Sequence, residues 1–201
     1  MTPRLAFAAL VAAAALAPAS AQVIEFEQNG LKYQTLTHGG VTIMFAHLAT
    51  HVKEFSIVQV SVSNGSRGPY TIRPEDFYFE RADHTEVHAS PARYVIDLLR
   101  EKGSGSDVVK LVTTYEASLY GMARIHSTNG YEQRRQAALA FASSARLKAA
   151  AAASAIALVQ QKLTAGESTD GAVFFPTGSK QLGAGRMLVR TNTDVFEFNA
   201  E

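Results

Sequence analysis

Hydrophobic and polar positions divide this chain into four zones. Leu5 to Ala17 is an unbroken apolar run. From Val23 to about Ala82 the apolar residues recur every second position, as on a half-buried strand. Val58, Val60 and Val62 alternate with Gln59 and Ser61 in the clearest example, Phe55 to Ser63. Leu31–Thr37 and Val41–His47 flank Gly39-Gly40, a hairpin signal. Tyr70–Arg73 and Phe77–Arg81 follow the dense turn Asn64–Pro69, with Phe77 and Phe79 on one face and Tyr78 and Glu80 on the other. Asn64-Gly65-Ser66 is formally a glycosylation sequon and is read as a polar turn.

From Ser90 to Leu163 the period becomes helical. Ser90 is placed to cap a helix over Ala92–Lys102 that stops at Gly103, with Pro91 in the first turn. Ser104–Asp107 reads as a linker and a new cap. A second helix, Val108 to about His126, carries Val108, Leu111, Val112, Tyr115, Leu119 and Met122 on one stripe. Asn129 caps a third, Tyr131–Leu163, which would reach about 50 Å if straight. Its stripe holds Ala138, Phe141, Ala145, Ala149, Ala152, Ile156, Val159 and Leu163. The small side chains there allow a close antiparallel contact with the stripe of the second helix. From Thr164 period two returns in Ala172–Phe175, Met187–Thr191 and Val195–Asn199.

Strands at both ends must pair to complete a covered sheet. The fold class expected is therefore α+β: an immunoglobulin-like antiparallel β-sandwich of about seven strands, with a three-helix insertion at 90–163 that includes a long hairpin. Three stretches carry a resemblance: VQVSVSNGS, a strand ending in a polar turn; YTIRPEDF, bracketed by proline; and LTAGESTDGAVFFP, a glycine turn before an aromatic strand. Together they resemble small exported bacterial immunoglobulin-like β-sandwich domains of uncharacterised function. That resemblance covers about half of the chain after residue 21, and it brings no catalytic residues. The helical insertion departs from it.

The opening segment sets the expected location. Arg4 precedes the apolar run, Pro18 ends it, and Ala19-Ser20-Ala21 offers small residues for cleavage before Gln22. A helix of 13 residues rises only about 20 Å, short of a hydrocarbon core of about 30 Å. Residues 1–21 are thus read as a cleavable signal peptide and 22–201 as one domain, periplasmic or secreted. Removing 1–21 takes away Arg4 and no acidic residue, leaving 18 basic against 18 acidic side chains. Such a balance does not favour nucleic acid as a partner. Cysteine is absent, so disulfides, thiolate metal sites and thiol nucleophiles are excluded. The third helix carries Arg146 and Lys148 in its middle, and no transmembrane helix is expected after residue 21.

Candidate chemistry is sparse. His47 and His51 are four apart, as are His84 and His88. Neither pair lies on an expected helix, where that spacing would bring two rings to one metal ion. Asp83, His84, Glu86 and His88 form the better metal candidate, because a loop can wrap its ligand types around one ion. Ser144 and Lys148 are four apart on a helix, with no oxyanion site evident. Glu75, Asp76, Glu80, Asp83 and Glu86 supply carboxylates without selecting a catalytic pair. Phe77-Tyr78-Phe79 reads as sandwich core, with a ligand groove as the alternative. No nucleotide motif occurs and no cofactor is expected. The expectation is a non-enzymatic binding or assembly module, with the helical insertion as its interaction surface and a protein or envelope component as partner. The alternative is an extracytoplasmic hydrolase with a site between insertion and sandwich, favoured if a nucleophile meets a histidine there.

Overall fold

The computed structural model describes residues 22–121, 131–178 and 180–198. The expected signal segment lies outside them. Seven strands come first: β1 (Ile24–Gln28), β2 (Leu31–His38), β3 (Val41–Val52), β4 (Phe55–Asn64), β5 (Tyr70–Ile72), β6 (Phe77–Arg81) and β7 (Glu86–His88). Four helices follow: α1 (Ala92–Lys102), α2 (Gly105–Gly121), α3 (Tyr131–Phe141) and α4 (Ala145–Ile156). The chain then returns to β structure in β8 (Gln161–Leu163), β9 (Ser168–Pro176), β10 (Gly185–Arg190) and β11 (Val195–Phe198).

All strands pair antiparallel. One sheet runs β1-β2-β3-β4-β9, a second β11-β10-β6-β7, and β5 pairs β8. Strands from before and after the helices therefore share sheets. The first four strands form a consecutive meander, because tight turns join each to the next. Asn29 and Gly30 both take positive φ, as do Gly39 and Gly40, the geometry of a two-residue hairpin. This order departs from an immunoglobulin sheet, in which the third strand crosses to the opposite sheet. The strand count also exceeds the seven expected: β1, β7 and β8 were not anticipated as strands.

The two larger sheets enclose one apolar core. Val41, Ile43, Phe45, Val58, Val60 and Val62 face Phe77, Phe79, Met187, Val189, Phe196 and Phe198 across it. Phe45 meets Phe198 edge to face, with centroids 4.9 Å apart. Such a pair is worth about 0.5–1.5 kcal/mol beyond its area. The other face of the five-stranded sheet is covered by helices. Phe55, Ile57, Ala172 and Phe174 form a second core with Val95, Leu99, Leu111, Tyr115, Ala149, Ala152 and Ile156. The architecture is thus three layers, with the five-stranded sheet in the middle.

The helical segment differs from expectation in three ways. The single helix expected over Tyr131–Leu163 is two helices and a strand, which makes four described helices instead of three. Ser144 takes extended backbone and its hydroxyl accepts from the Leu147 amide at 3.3 Å, starting α4 anew. At the other end Leu158 donates to the Ala172 carbonyl (2.9 Å) and Ala157 bridges Ala172. Sheet pairing there outweighs the helix preference of an alanine-rich sequence. Gly171 permits this approach, since a Cβ on it would lie 2.5 Å from Leu158 Cα. Second, α4 packs against all three other helices, not against α2 alone. Ala149 and Ala152 of the stripe are buried, but Ala145 is exposed, and Val159 and Leu163 lie beyond the helix. Third, the caps are shifted. Ser90 bridges to β9 through its amide on the Phe174 carbonyl (2.7 Å), and Pro91 flanks α1 instead. Ser104, not Asp107, caps α2; Asp107 answers from the third position in a capping box, bonding the Ser104 amide at 2.8 Å. The expected third-helix cap at Asn129 lies outside the described residues.

Candidate functional site

The sandwich is open at one corner. A cross-strand row of the five-stranded sheet runs Glu25, Gln34, Phe45, Val60 on its core-facing side. The row is apolar at the sheet centre and polar at the β1 edge. The four-stranded sheet covers its apolar part. Near the ends of β6 and β10, at Arg81 and Gly185, the polar part is left uncovered. The result is a cleft of about 1000 Å³ between the sheets, at the upper end of the range for small-ligand sites.

Phe45, Phe79 and Met187, all buried, form its floor. His47 stands over them, edge-on to Phe45 (5.3 Å) and to Phe79 (6.0 Å). Gly185 admits the Phe79 ring, because a Cβ there would lie 2.8 Å from its edge and 2.2 Å from the Glu80 carbonyl oxygen. The rim is charged: Glu25, Glu27 and Lys32 on one side, Glu80, Arg81, His84 and Arg186 on the other.

The rim groups differ in how far they are already satisfied. Glu80 accepts from His84 Nδ1 (2.8 Å) and from Arg186 Nε (2.7 Å), and these bonds hold its carboxyl below the ordinary pKa. Arg186 also reaches Glu197 (3.2 Å); the Glu80 bond in turn raises its guanidinium pKa. Gln34 donates to Glu25. The half-buried Arg81 makes no ion pair among the described residues, nor do Glu27 and Lys32. Solvent reaches the His47 ring through the cleft mouth, yet the surrounding protein disfavours its charged form and lowers its pKa. At neutral pH His47 is an uncharged imidazole offering one donor and one acceptor.

Beside the cleft, Ser56 Oγ lies 3.0 Å from His51 Nε2. Serine next to histidine invites a nucleophilic reading, but the hydrogen positions oppose it. His51 Nε2 is also 2.5 Å from the Lys180 carbonyl oxygen. A carbonyl only accepts, so Nε2 carries the hydrogen and cannot take the proton of Ser56. Ser56 is buried and shares a further bond with Thr177 Oγ1 at 2.8 Å. The cluster ties β3, β4 and the loop after β9 together. It lies in the sandwich, away from the boundary with the helices where a hydrolytic site was envisaged.

The four metal candidates do not converge on one point. Asp83 accepts from the Thr85 amide (3.0 Å) and hydroxyl (2.6 Å), which lowers its pKa. His84 bonds Glu80; Glu86 bonds Arg190 at 2.8 Å and lies 3.9 Å from His88 Nε2; and His88 stacks edge-on to Tyr78. Among the described residues no group of three or more His, Asp or Glu is placed to hold a metal ion. Ser144 serves α4 as its cap. Asp76 holds Arg73 through three bonds, from the Arg73 backbone amide at 2.9 Å and from its guanidinium at 3.1 and 2.9 Å. Asn64 of the sequon is buried, donating to the carbonyls of Gly68 (2.8 Å) and Leu163 (3.0 Å). Phe77 and Phe79 are core residues, and Phe79 also floors the cleft; the structural and ligand readings of that segment meet in one ring. Among the described residues no helix is long and apolar enough to cross a membrane.

No protein-family model, curated protein or solved structure matches this chain at a significant level.

Proposed function

We propose that this protein is a non-enzymatic binding module of exported, envelope-associated type, and that the inter-sheet cleft is its ligand site. The observation that carries this reading is the cleft itself: a volume of about 1000 Å³ with an aromatic floor, a neutral histidine and a charged rim. An apolar part of the ligand would lie on Phe79 and Met187, and polar groups would meet His47 and Arg81. This moves the interaction surface away from the helical insertion. The described apolar faces of α1, α2 and α4 are committed to the sheet, and Tyr94, Val109 and Leu147 remain exposed singly. The sandwich is immunoglobulin-like in this reading only in its general architecture. Export rests on the charged start, the short apolar run and Ala19-Ser20-Ala21; the exported protein should begin at Gln22 on N-terminal sequencing.

The test uses the absence of tryptophan from the chain. Gln34→Trp places an indole into the cleft as the chain's single tryptophan. The neutral probe N-phenyl-1-naphthylamine should bind the native protein saturably at one site. Gln34→Trp, folded and with similar Tm, should lose that binding. Probe uptake unaffected by the indole would refute the assignment of the cleft.

A further inference from the structure

We propose that β1 is a docking edge for an extended peptide segment with alternating basic and apolar side chains, added as a further antiparallel strand. This deepens the reading of the cleft as a binding site, because β1 is one of its walls. The five-stranded sheet has two edges. At β9 the backbone is engaged, with Ser90 bridging Phe174 and Ala157 bridging Ala172. Among the described residues β1 pairs with β2 alone, and all five residues are exposed. Ile24 is 59% and Phe26 39% exposed. An edge strand of this kind presents unpaired backbone donors and acceptors to an incoming chain.

The side chains of β1 say what that chain must carry. Ile24 and Phe26 lie on the helix-facing side, where Phe26 stacks on Tyr33 at 5.1 Å. Glu25 and Glu27 lie on the cleft side. Two copies of β1 paired antiparallel about Phe26 would set each copy's Glu25 against the other's Glu27, and like charges directly opposite are destabilising. The glutamates thus act against self-pairing. A partner with lysine or arginine at every second position meets both carboxylates from across the new ladder and extends its basic side chains into the cleft mouth. Its intervening apolar residues fall beside Ile24 and Phe26, completing the strip that those side chains leave open.

The probe is an end-blocked hexapeptide alternating lysine and valine, titrated into the full chain from Gln22 and followed by amide chemical shifts and calorimetry. Saturable binding with shifts centred on residues 24–28 is expected. An alternating glutamate and valine peptide should bind at least about ten-fold more weakly, and the double variant Glu25→Lys, Glu27→Lys should invert that preference. Methylating alternate backbone nitrogens of the lysine peptide should abolish binding, since the ladder bonds are lost. Equal affinity for the methylated peptide, or for both charge patterns, would overturn the proposal. So would a dimer in sedimentation that the double variant dissociates, because the edge would then take a second copy. If the naphthylamine probe fills the cleft and no peptide binds, the docking edge fails and the cleft stands. If neither binds, both readings fall.

Discussion

The Tyr115 hydroxyl of α2 donates to the Asp170 carboxylate of β9 beneath the helical layer, and both side chains are buried. The bond fixes where the helices sit on the middle sheet. Tyr115→Phe removes the donor and leaves the aromatic packing. It should cost about 1–3 kcal/mol, the penalty for a buried polar group that loses a partner. Chemical denaturation of the variant against the native protein measures it; an unchanged midpoint would show that the layer is held by apolar contacts alone.

The start of α2 gives a pH prediction. Burial pushes the Asp107 carboxyl upward in pKa, but the Ser104 hydroxyl and amide and the Lys53 ammonium, 3.0 Å away, outweigh it and leave the pKa below the ordinary value. A depressed folded pKa means that the unfolded chain takes up this proton first as the pH falls. The stabilisation is therefore complete at neutral pH and is lost as pH drops through the ordinary carboxylate range to the folded pKa. Asp107→Asn should cost about 1–2 kcal/mol at neutral pH. The difference from the native protein should shrink in acid, as followed by denaturation midpoints across the pH range.

The two alanines of α4 should respond differently to enlargement. Ala152 is fully buried in the helical core, and Ala145 is exposed in the first turn. Ala152→Leu should overpack the contact and cost on the order of 1–3 kcal/mol. Ala145→Leu should leave Tm nearly unchanged. Equal tolerance at both positions would mean that α4 does not pack as described.

His47 gives a second titration. Burial lowers its pKa, so its ring should protonate in the folded protein at a lower pH than an ordinary histidine. The unfolded chain binds that proton first, so His47 subtracts stability as the pH falls through the ordinary histidine value. Ring-proton chemical shifts should show His47 titrating below the ordinary histidine value. A midpoint at the ordinary value would mean that the cleft is wetter and wider than described.

Much of the strand pattern was legible because it is local. The alternation of Val58, Val60 and Val62 marks β4, and Gly39-Gly40 marks the turn before β3. The same kind of signal at Asn29-Gly30, with Ile24 and Phe26 alternating against Glu25 and Glu27, marks β1, but the run is short and glutamate has a low strand preference. The break in the alanine-rich helix was hidden for another reason. Leu158 leaves helical conformation to pair with Ala172, and Gln161–Leu163 to pair with Tyr70–Ile72, choices made by partners far along the chain. The cleft is less legible still. It arises where β6 and β10 stop short of the β1 edge, and their pairing joins Glu80 to Arg186, 106 positions apart. His47 drew attention as half of a metal spacing with His51, yet the register shift between Leu48 and His51 gives the two rings different surroundings. One faces the cleft, the other the Lys180 carbonyl.

The central claim is that the inter-sheet cleft binds ligand. Amide chemical-shift mapping with N-phenyl-1-naphthylamine tests it most directly. The account predicts saturable shifts clustered at Gln34, Phe45, His47, Phe79, Arg81 and Gly185, with α1 and α4 unmoved. Shifts confined to the helices, or spread evenly without saturation, would contradict it.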